Sequence, residues 1–375
     1  MLYSKINNNN TNLNIAKTES EGNAELHAIA TICNTHLSFT EQLQSMCDAI
    51  KDFIVQEKTE RYSPIFIRLL LSDATNQAQE ACQQLNLIAP NCAIAYVQQP
   101  PLNGTKLAAY IYMMQNVTTT HIDEKTIVAQ RNQYSHFWSA NICNPLANTL
   151  NETYSQLEYL ENMLKQQHLN IADNCVRTWF YVQNIDVNYH DVVIARKNNF
   201  EQNGLTPQTH YISSTGIGGN HANKAVTSIL NAYSIGGITP MQMWYLYASD
   251  NMNRTTDYGV TFERGTCLEY DNQLHVYISG TASIDNGGNI VAPGNITEQT
   301  YRMLENVDAL LAEARCSESY LAHIVVYLRD IADYNVVNDI FSSRFANVPY
   351  IITLAPVCRP GWLIEMECMA VKDRQ

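Results

Sequence analysis

With 375 residues, 46% of them apolar, the chain can bury a sizeable core, and its length leaves room for two domains. A formal charge of −13 argues against a nucleic-acid partner, which clustered Lys and Arg would have to hold, so any anionic ligand must rely on a few local arginines working against the overall field. No stretch reaches the roughly 18 apolar residues of a spanning helix, and the polar, Asn-rich start MLYSKINNNNTNLNIAKTES does not read as a signal peptide, so a cytoplasmic protein without a membrane partner is expected.

Taken in order, residues 1–20 are poor in apolar side chains and read as a loose tail. Strands are expected near LHAIATIC, SPIFIRLLLS, AIAYVQQP and KLAAYIYMMQ, with a helix at NQAQEACQQLN between the second and third. The polar stretch NVTTTHIDEKT reads as a loop. Beyond it, RTWFYVQNIDVNYHDVVIARKNNF (Arg177 to Phe200) echoes IVVYLRDIADYNVVNDIFSSRF (Ile324 to Phe345). Tyr181 falls on Tyr327, Ile185 on Ile331 and Phe200 on Phe345. Two copies of one α+β unit are the simplest reading of this single long repeat. The expected organisation is a tail to residue 20, an N-terminal domain over 21–236 that ends in a degenerate copy, and a C-terminal domain over 237–375, with the boundary near Gly236 and Gly237.

The last hundred residues carry the clearest pattern. LHVYISGTASI alternates like a strand and breaks at the turn DNGGN; TEQTYRMLENVDALLAEA then places Met303, Leu304, Val307, Leu310 and Leu311 on one helical stripe. LAHIVVYLRDI, YNVVNDIFSSRF, PYIITLAP and WLIEMECMAV follow as strand, helix, strand and strand. That order packs both helices on one face of a mainly antiparallel sheet.

Ten Cys without a CxxC pair and ten His without HxH or HExxH spacing suit free thiols and no metal site. The Gly-rich STGIGG (Ser214 to Gly219) lacks the Lys of a phosphate-binding loop. On the final strand Glu365 and Glu367 are two apart and share a face. Buried among Ile364, Met366 and Cys368, either would hold its proton more tightly and serve as a general acid; exposed, both would be ordinary solvent-facing positions. Arg359 lies across the Gly361-Trp362 turn from Glu365, within reach of the same cleft, and a planar guanidinium suits a carboxylate ligand. Arg264 reads equally as a ligand group or a surface charge, and Arg177 more readily as an interdomain ion pair. Cys358, with no His placed to activate it, reads as a packed pocket wall.

The run SGTASIDNGGNIVAPGNITEQTYRMLENVDALLAEA, the VVYLRDIADYNVVNDIFSSRF segment and WLIEMECMAV resemble the Rid (YjgF/UK114) superfamily. RTWFYVQNI followed by a Tyr, AR, STGIGG, SGTASI and the CR before a Glu-bearing last strand are similar to its two-domain chorismatase branch. The resemblance implies tandem chorismate-mutase-like α+β units and a cofactor-free enzyme that hydrolyses the enolpyruvyl ether of chorismate or a related cyclic acid, releasing pyruvate. It implies Glu365 as the acid, with a small anionic carboxylate substrate contacted by Arg359, Arg264, Arg177 and Cys358. Tyr211, Thr215 and Gly216 would line the pocket from the first copy, and Gly280 and Thr281 from the second. A trimer is the assembly the superfamily implies. A binding or regulatory protein that kept the cleft without the reaction is the alternative from another class. Enamine or imine deamination is less favoured, because the Arg that small Rid deaminases carry after the Pro of the penultimate strand is missing: Pro349 is followed by Tyr350, Ile351 and Ile352.

Overall fold

The computed structural model describes residues 1–20 and 22–374 and contains three sheets of six strands, one more than the internal repeat implied. The first unit comprises β1 (Leu2–Asn8), β2 (Thr11–Lys17), β3 (Glu25–Ile32), α1 (Phe39–Lys58), β4 (Tyr62–Leu71), α2 (Ala74–Ile88), β5 (Ala93–Gln98) and β6 (Leu107–Gln115). The second comprises β7 (Thr118–His121), β8 (Thr126–Arg131), β9 (Tyr134–Ile142), α3 (Thr149–Gln166), the short α4 (Ile171–Asn174), β10 (Cys175–Val182), α5 (Ile185–Gln202), β11 (Ser213–Gly218) and β12 (Ser228–Gly236). The third comprises β13 (Met243–Leu246), β14 (Gly265–Tyr270), β15 (Gln273–Ala282), α6 (Ile296–Glu313), β16 (Leu321–Leu328), α7 (Tyr334–Arg344), β17 (Tyr350–Leu354) and β18 (Ile364–Asp373). The three sheets share one strand order, β1-β2-β3-β6-β4-β5 in the first, with a single parallel pair at the β4–β5 edge and its counterparts. The α+β class and the Rid-like units therefore stand, and a third copy precedes the two that echo each other in sequence.

Residues 1–20 are not a loose tail. β1 and β2 form an antiparallel hairpin on β3, and β2 buries Thr11, Leu13, Ile15 and Ala16. The segment looked disordered because β1 lies at the sheet edge, where Asn and Lys keep a strand soluble and unpaired. NVTTTHIDEKT is likewise no plain loop: Thr118–His121 pair with β8 as a short edge strand, mostly exposed, so no alternation marks it. α1 was not among the helices expected from the sequence. Its Ser38 cap and Glu41 complete a reciprocal capping box, and Leu43, Met46, Ile50 and Phe53 form its buried stripe.

Each unit covers one sheet face with its helices and turns the other toward its neighbours, so the large apolar cluster runs through all three. Three equivalent backbone bonds close the ring: Gln98 N–H donates to Asn220 C=O, Gly218 N–H to Pro356 C=O and Leu354 N–H to Pro100 C=O, each at 2.9 Å. In each case the end of the parallel edge strand meets the loop before the last strand of the next unit. Three inter-unit clefts result. Among the described residues no helix is long and apolar enough to cross a membrane.

Candidate active site

The cleft between the second and third units is the best formed, with a volume of about 550 Å³. α5 and β11 make one wall, with Tyr189, Arg196, Ser214 and Gly216. The other is built by Gly280, Ala282 and Ile284, by Cys358, Arg359 and Trp362 before β18, and by Glu365 on β18 itself. A long connection, residues 247–264 between β13 and β14, adds Gly259, Val260, Phe262 and Arg264. The matching connections in the other units are Asn9–Asn10 and residues 122–125, too short to form such a strap.

Glu365 sits on β18 opposite Ala282 and Tyr327, in the middle strand of its half-sheet, and is buried. Burial, reinforced by the charge of Glu367, pushes its carboxyl up to about 8, against the pull of Arg177 and Arg264. Two residues along the same face, Glu367 has the opposite fate. Burial raises it too, but the guanidiniums of Arg68 (2.9 Å) and Arg177 (3.1 Å) hold it below the ordinary value. The pair thus splits into one protonated acid and one fixed carboxylate, as neighbouring carboxyls in unlike surroundings do. Two glycines make room for this geometry: a Cβ at Gly280 would overlap the Glu365 carboxylate, and one at Gly216 would lie 2.5 Å from the Tyr189 ring.

Three guanidinium groups border the cavity. Arg264 donates to Asn253 C=O at 3.0 Å and lies over Phe262; Arg359 lies over Trp362, 5.1 Å from the ring centre. Arg196 is fully buried, donating through Nε to Thr261 (3.1 Å) and through Nη1 to Ser214 (3.4 Å), while its Nη2 has no hydrogen-bond partner among the described residues. Among the described residues that line the cavity the acids are Glu365 and Asp186, and Asp186 pairs with Arg329 at 2.9 Å. A small acid entering the cleft would meet donors at several points and a proton source at one. Burial pushes the Cys358 thiol up to about 12, so it is a wall and no nucleophile. Among the described residues no group of His, Cys, Asp and Glu is arranged to hold a metal.

Of the residues singled out from the sequence, Glu365, Arg359, Arg264, Gly216, Gly280 and Cys358 line this one cavity. Arg177 and Thr215 stand behind it: Arg177 Nη2 donates to the Thr215 hydroxyl (2.5 Å) and to Glu367, and Gly280 N–H donates to the same hydroxyl (3.0 Å). The ion-pair reading of Arg177 holds. Thr281 is buried and donates to Ser279 C=O, away from the cavity. Tyr211 as a pocket residue is corrected. Its ring packs beneath α5 against Phe200 and its N–H donates to Glu263, because the segment that follows α5 reaches the cleft only from Ser214 onward. Arg196 and Tyr189 were not selected as site residues. Arg196 was detectable, since Val192, Arg196 and Phe200 fall on one buried stripe of α5, and a guanidinium there requires a polar cavity beside it.

Comparisons with known proteins agree with this architecture. The family model described as endoribonuclease L-PSP matches residues 269–372. A RutC family protein of Pyrococcus abyssi is 33% identical over 100 residues, covering 26% of this chain and 79% of that protein; one from Saccharolobus solfataricus is 38% identical with the same coverage. The 2-iminobutanoate/2-iminopropanoate deaminase of Capra hircus is 29% identical over 102 residues, 26% of this chain and 72% of its own. All of these similarities span about one unit. A crystal structure of a chorismatase extends further, covering 82% of this chain and 93% of its own with a TM-score of 0.62; at 16% identity it establishes shared fold.

Proposed function

This chain belongs to the Rid (RutC) family, and from that premise we propose that its arginine-bordered cleft hydrolyses the enolpyruvyl ether of chorismate or a related cyclic acid, releasing pyruvate. The observation that carries the proposal is Glu365: a buried carboxylic acid that keeps its proton to about pH 8, facing a cavity bordered by Arg196, Arg264 and Arg359. Hydrolysis of an enol ether is limited by protonating its terminal carbon, which requires an acid still loaded near neutral pH. Glu365 delivers its proton to the methylene carbon, giving an oxocarbenium-like centre next to the ether oxygen. Water adds to that centre, and the resulting hemiketal collapses to pyruvate and the free ring hydroxyl. The water's surplus proton returns to Glu365, so one water is consumed and the enzyme is restored. The guanidinium groups hold the substrate's carboxylates, and the dry walls of Phe262, Trp362 and Ile284 strengthen those contacts. The chorismatase fold supports the choice of substrate class; the net charge of −13 does not suit RNA.

Mixing the purified full chain with chorismate and following pyruvate through lactate dehydrogenase and NADH tests the reading. Continuous NADH loss that requires the protein is expected. Binding of chorismate with no pyruvate above its spontaneous decay would leave a binding protein in place of a hydrolase.

A further inference from the structure

Among the described residues none of the first unit lines the Glu365 cleft, yet that unit reaches the acid through one intermediary. Glu365 and Glu367 share a face of β18 and stand roughly 6–7 Å apart along the strand. Within their own sheet neither faces a charged group: the cross-strand partners of Glu365 are Ala282 and Tyr327, and that of Glu367 on β16 is Val325. What opposes Glu367 comes from the other two units. Its Oε1 accepts from Arg68 Nη1 (2.9 Å) and Nη2 (3.0 Å) on β4, its Oε2 accepts from Arg177 Nη2 (3.1 Å) on β10, and the Trp179 indole N–H reaches both oxygens (3.0 and 3.1 Å). The Thr215 hydroxyl bonds Glu367 as well and takes the N–H of Gly280, the residue against which the Glu365 carboxyl lies.

The register makes this acid singular. Counted back from the ends of β4, β10 and β16 at Leu71, Val182 and Leu328, Arg68, Trp179 and Val325 are equivalent, and the last-strand residues opposite them are Tyr110, Asn231 and Glu367. One layer of the three-unit junction therefore holds one acid, and the equivalents of its own cross-strand partner are two of the groups that clamp it. Two guanidiniums and an indole N–H favour the ionised form. The other titratable groups around Glu367, which are Tyr110, Tyr181, Tyr327, Cys368 and His323, are kept neutral by burial. Around Glu365, Arg177 and Arg264 draw the proton off, while burial keeps Tyr189 and Cys358 neutral. The remaining charged or titratable lining groups of the cleft are Arg196, Lys197, His190, Arg359 and Asp186, the last paired with Arg329. Glu367 is thus the nearby negative charge that works to retain the Glu365 proton.

We propose that Glu367 is a positioning residue for the reaction proposed above: fixed as a carboxylate by Arg68 of the first unit and Arg177 of the second, it keeps the proton on Glu365 without touching the substrate. The inference rests on Glu365 being the acid. It gives the first unit a part in the chemistry of a cleft that only the second and third units line.

Difference infrared spectra of the Glu367→Gln chain against the Glu365→Gln/Glu367→Gln chain isolate the Glu365 carbonyl band without its neighbour. The titration midpoint of that band should lie about one to two pH units below the wild-type midpoint, as expected when one like charge is removed at this range and two guanidiniums stay behind. The alkaline limb of kcat against pH should move with it. A merely structural ion pair would change stability and leave both midpoints in place. Since Glu367→Gln leaves two buried guanidiniums facing no anion, Arg68→Gln/Glu367→Gln, which removes one charge of each sign, is titrated in the same way. Arg177 remains there, so a smaller shift in the same direction is expected. An unchanged midpoint in either variant, folded by its thermal transition, overturns the proposal while Glu365 stays the acid. A wild-type band already absent at neutral pH overturns the acid and this inference together, which tells the two failures apart.

Discussion

The cleft between the second and third units and its two counterparts are built on the same frame, and they differ at a few register positions. β4, β10 and β16 end at Leu71, Val182 and Leu328, which aligns the three units residue by residue. One residue before those ends, the cross-strand partner on the last strand is Ala108 in the first unit, Ile229 in the second and Glu365 in the third. Two before, the partner on the parallel edge strand is Tyr96, Gly216 or Ile352. Thus the acid appears once, and the glycine that opens the wall faces it. The cleft walled by β5 is occupied by Tyr96, whose hydroxyl pairs with His221; the one walled by β17 is lined by neutral side chains and Lys5. A repeated scaffold supplies the clefts, and single side chains decide which of them is armed.

Substitutions that erase this difference should matter most. Glu365→Gln keeps size and hydrogen-bonding shape but has no proton to give, so pyruvate release should fall by about 100-fold or more while chorismate affinity, measured by calorimetry, stays within about twofold. Gly216→Tyr copies Tyr96 into the open cleft and collides with Tyr189. Overpacking of this kind costs about 1–3 kcal/mol, and we expect roughly a 10- to 100-fold loss of affinity, with the thermal midpoint checking that the chain still folds. Arg359→Lys keeps the charge and loses the planar fork; it should raise KM by about tenfold with kcat largely preserved. At the small end, His221→Ala breaks the Tyr96 contact in the plugged cleft. Stability in urea should drop by about 1 kcal/mol, and turnover should change less than twofold.

How much of this was legible in the sequence follows from what each feature depends on. Glu365 and Arg359 lie six residues apart, so strand and turn geometry could bring them to one place, but it was the family resemblance that singled out Glu365 over Glu367. In the third unit α6, β15, β16 and β18 were readable from helix stripe and strand alternation, whereas β13 lies in a stretch that read as a linker. The first unit was not recognised as a copy, since its kinship with the others lies in strand order and in the ring of backbone bonds, which leave no side-chain signature. Arg196 belongs to the same class of difficulty: its role depends on residues 247–264, far along the chain, which bring Thr261 and Phe262 against it. Tyr211 shows the reverse error, a residue next to a glycine-rich run in sequence but turned into the helix-covered core in space.

The protonation of Glu365 tests the central claim most directly, since it needs no substrate. Its folded pKa is raised, from the ordinary glutamate value near 4.5 to about 8, so the folded chain binds this proton more tightly than the unfolded chain does. The associated stability is full below the unfolded value and is lost as pH rises through about 8, with a slope of at most about 1.4 kcal/mol per pH unit. Difference infrared spectra of wild type against Glu365→Gln, titrated from pH 4 to 9, isolate the carbonyl stretch of this one carboxylic acid. Our account predicts that the band persists past neutrality and disappears around pH 8; a band already gone by about pH 5 would contradict it.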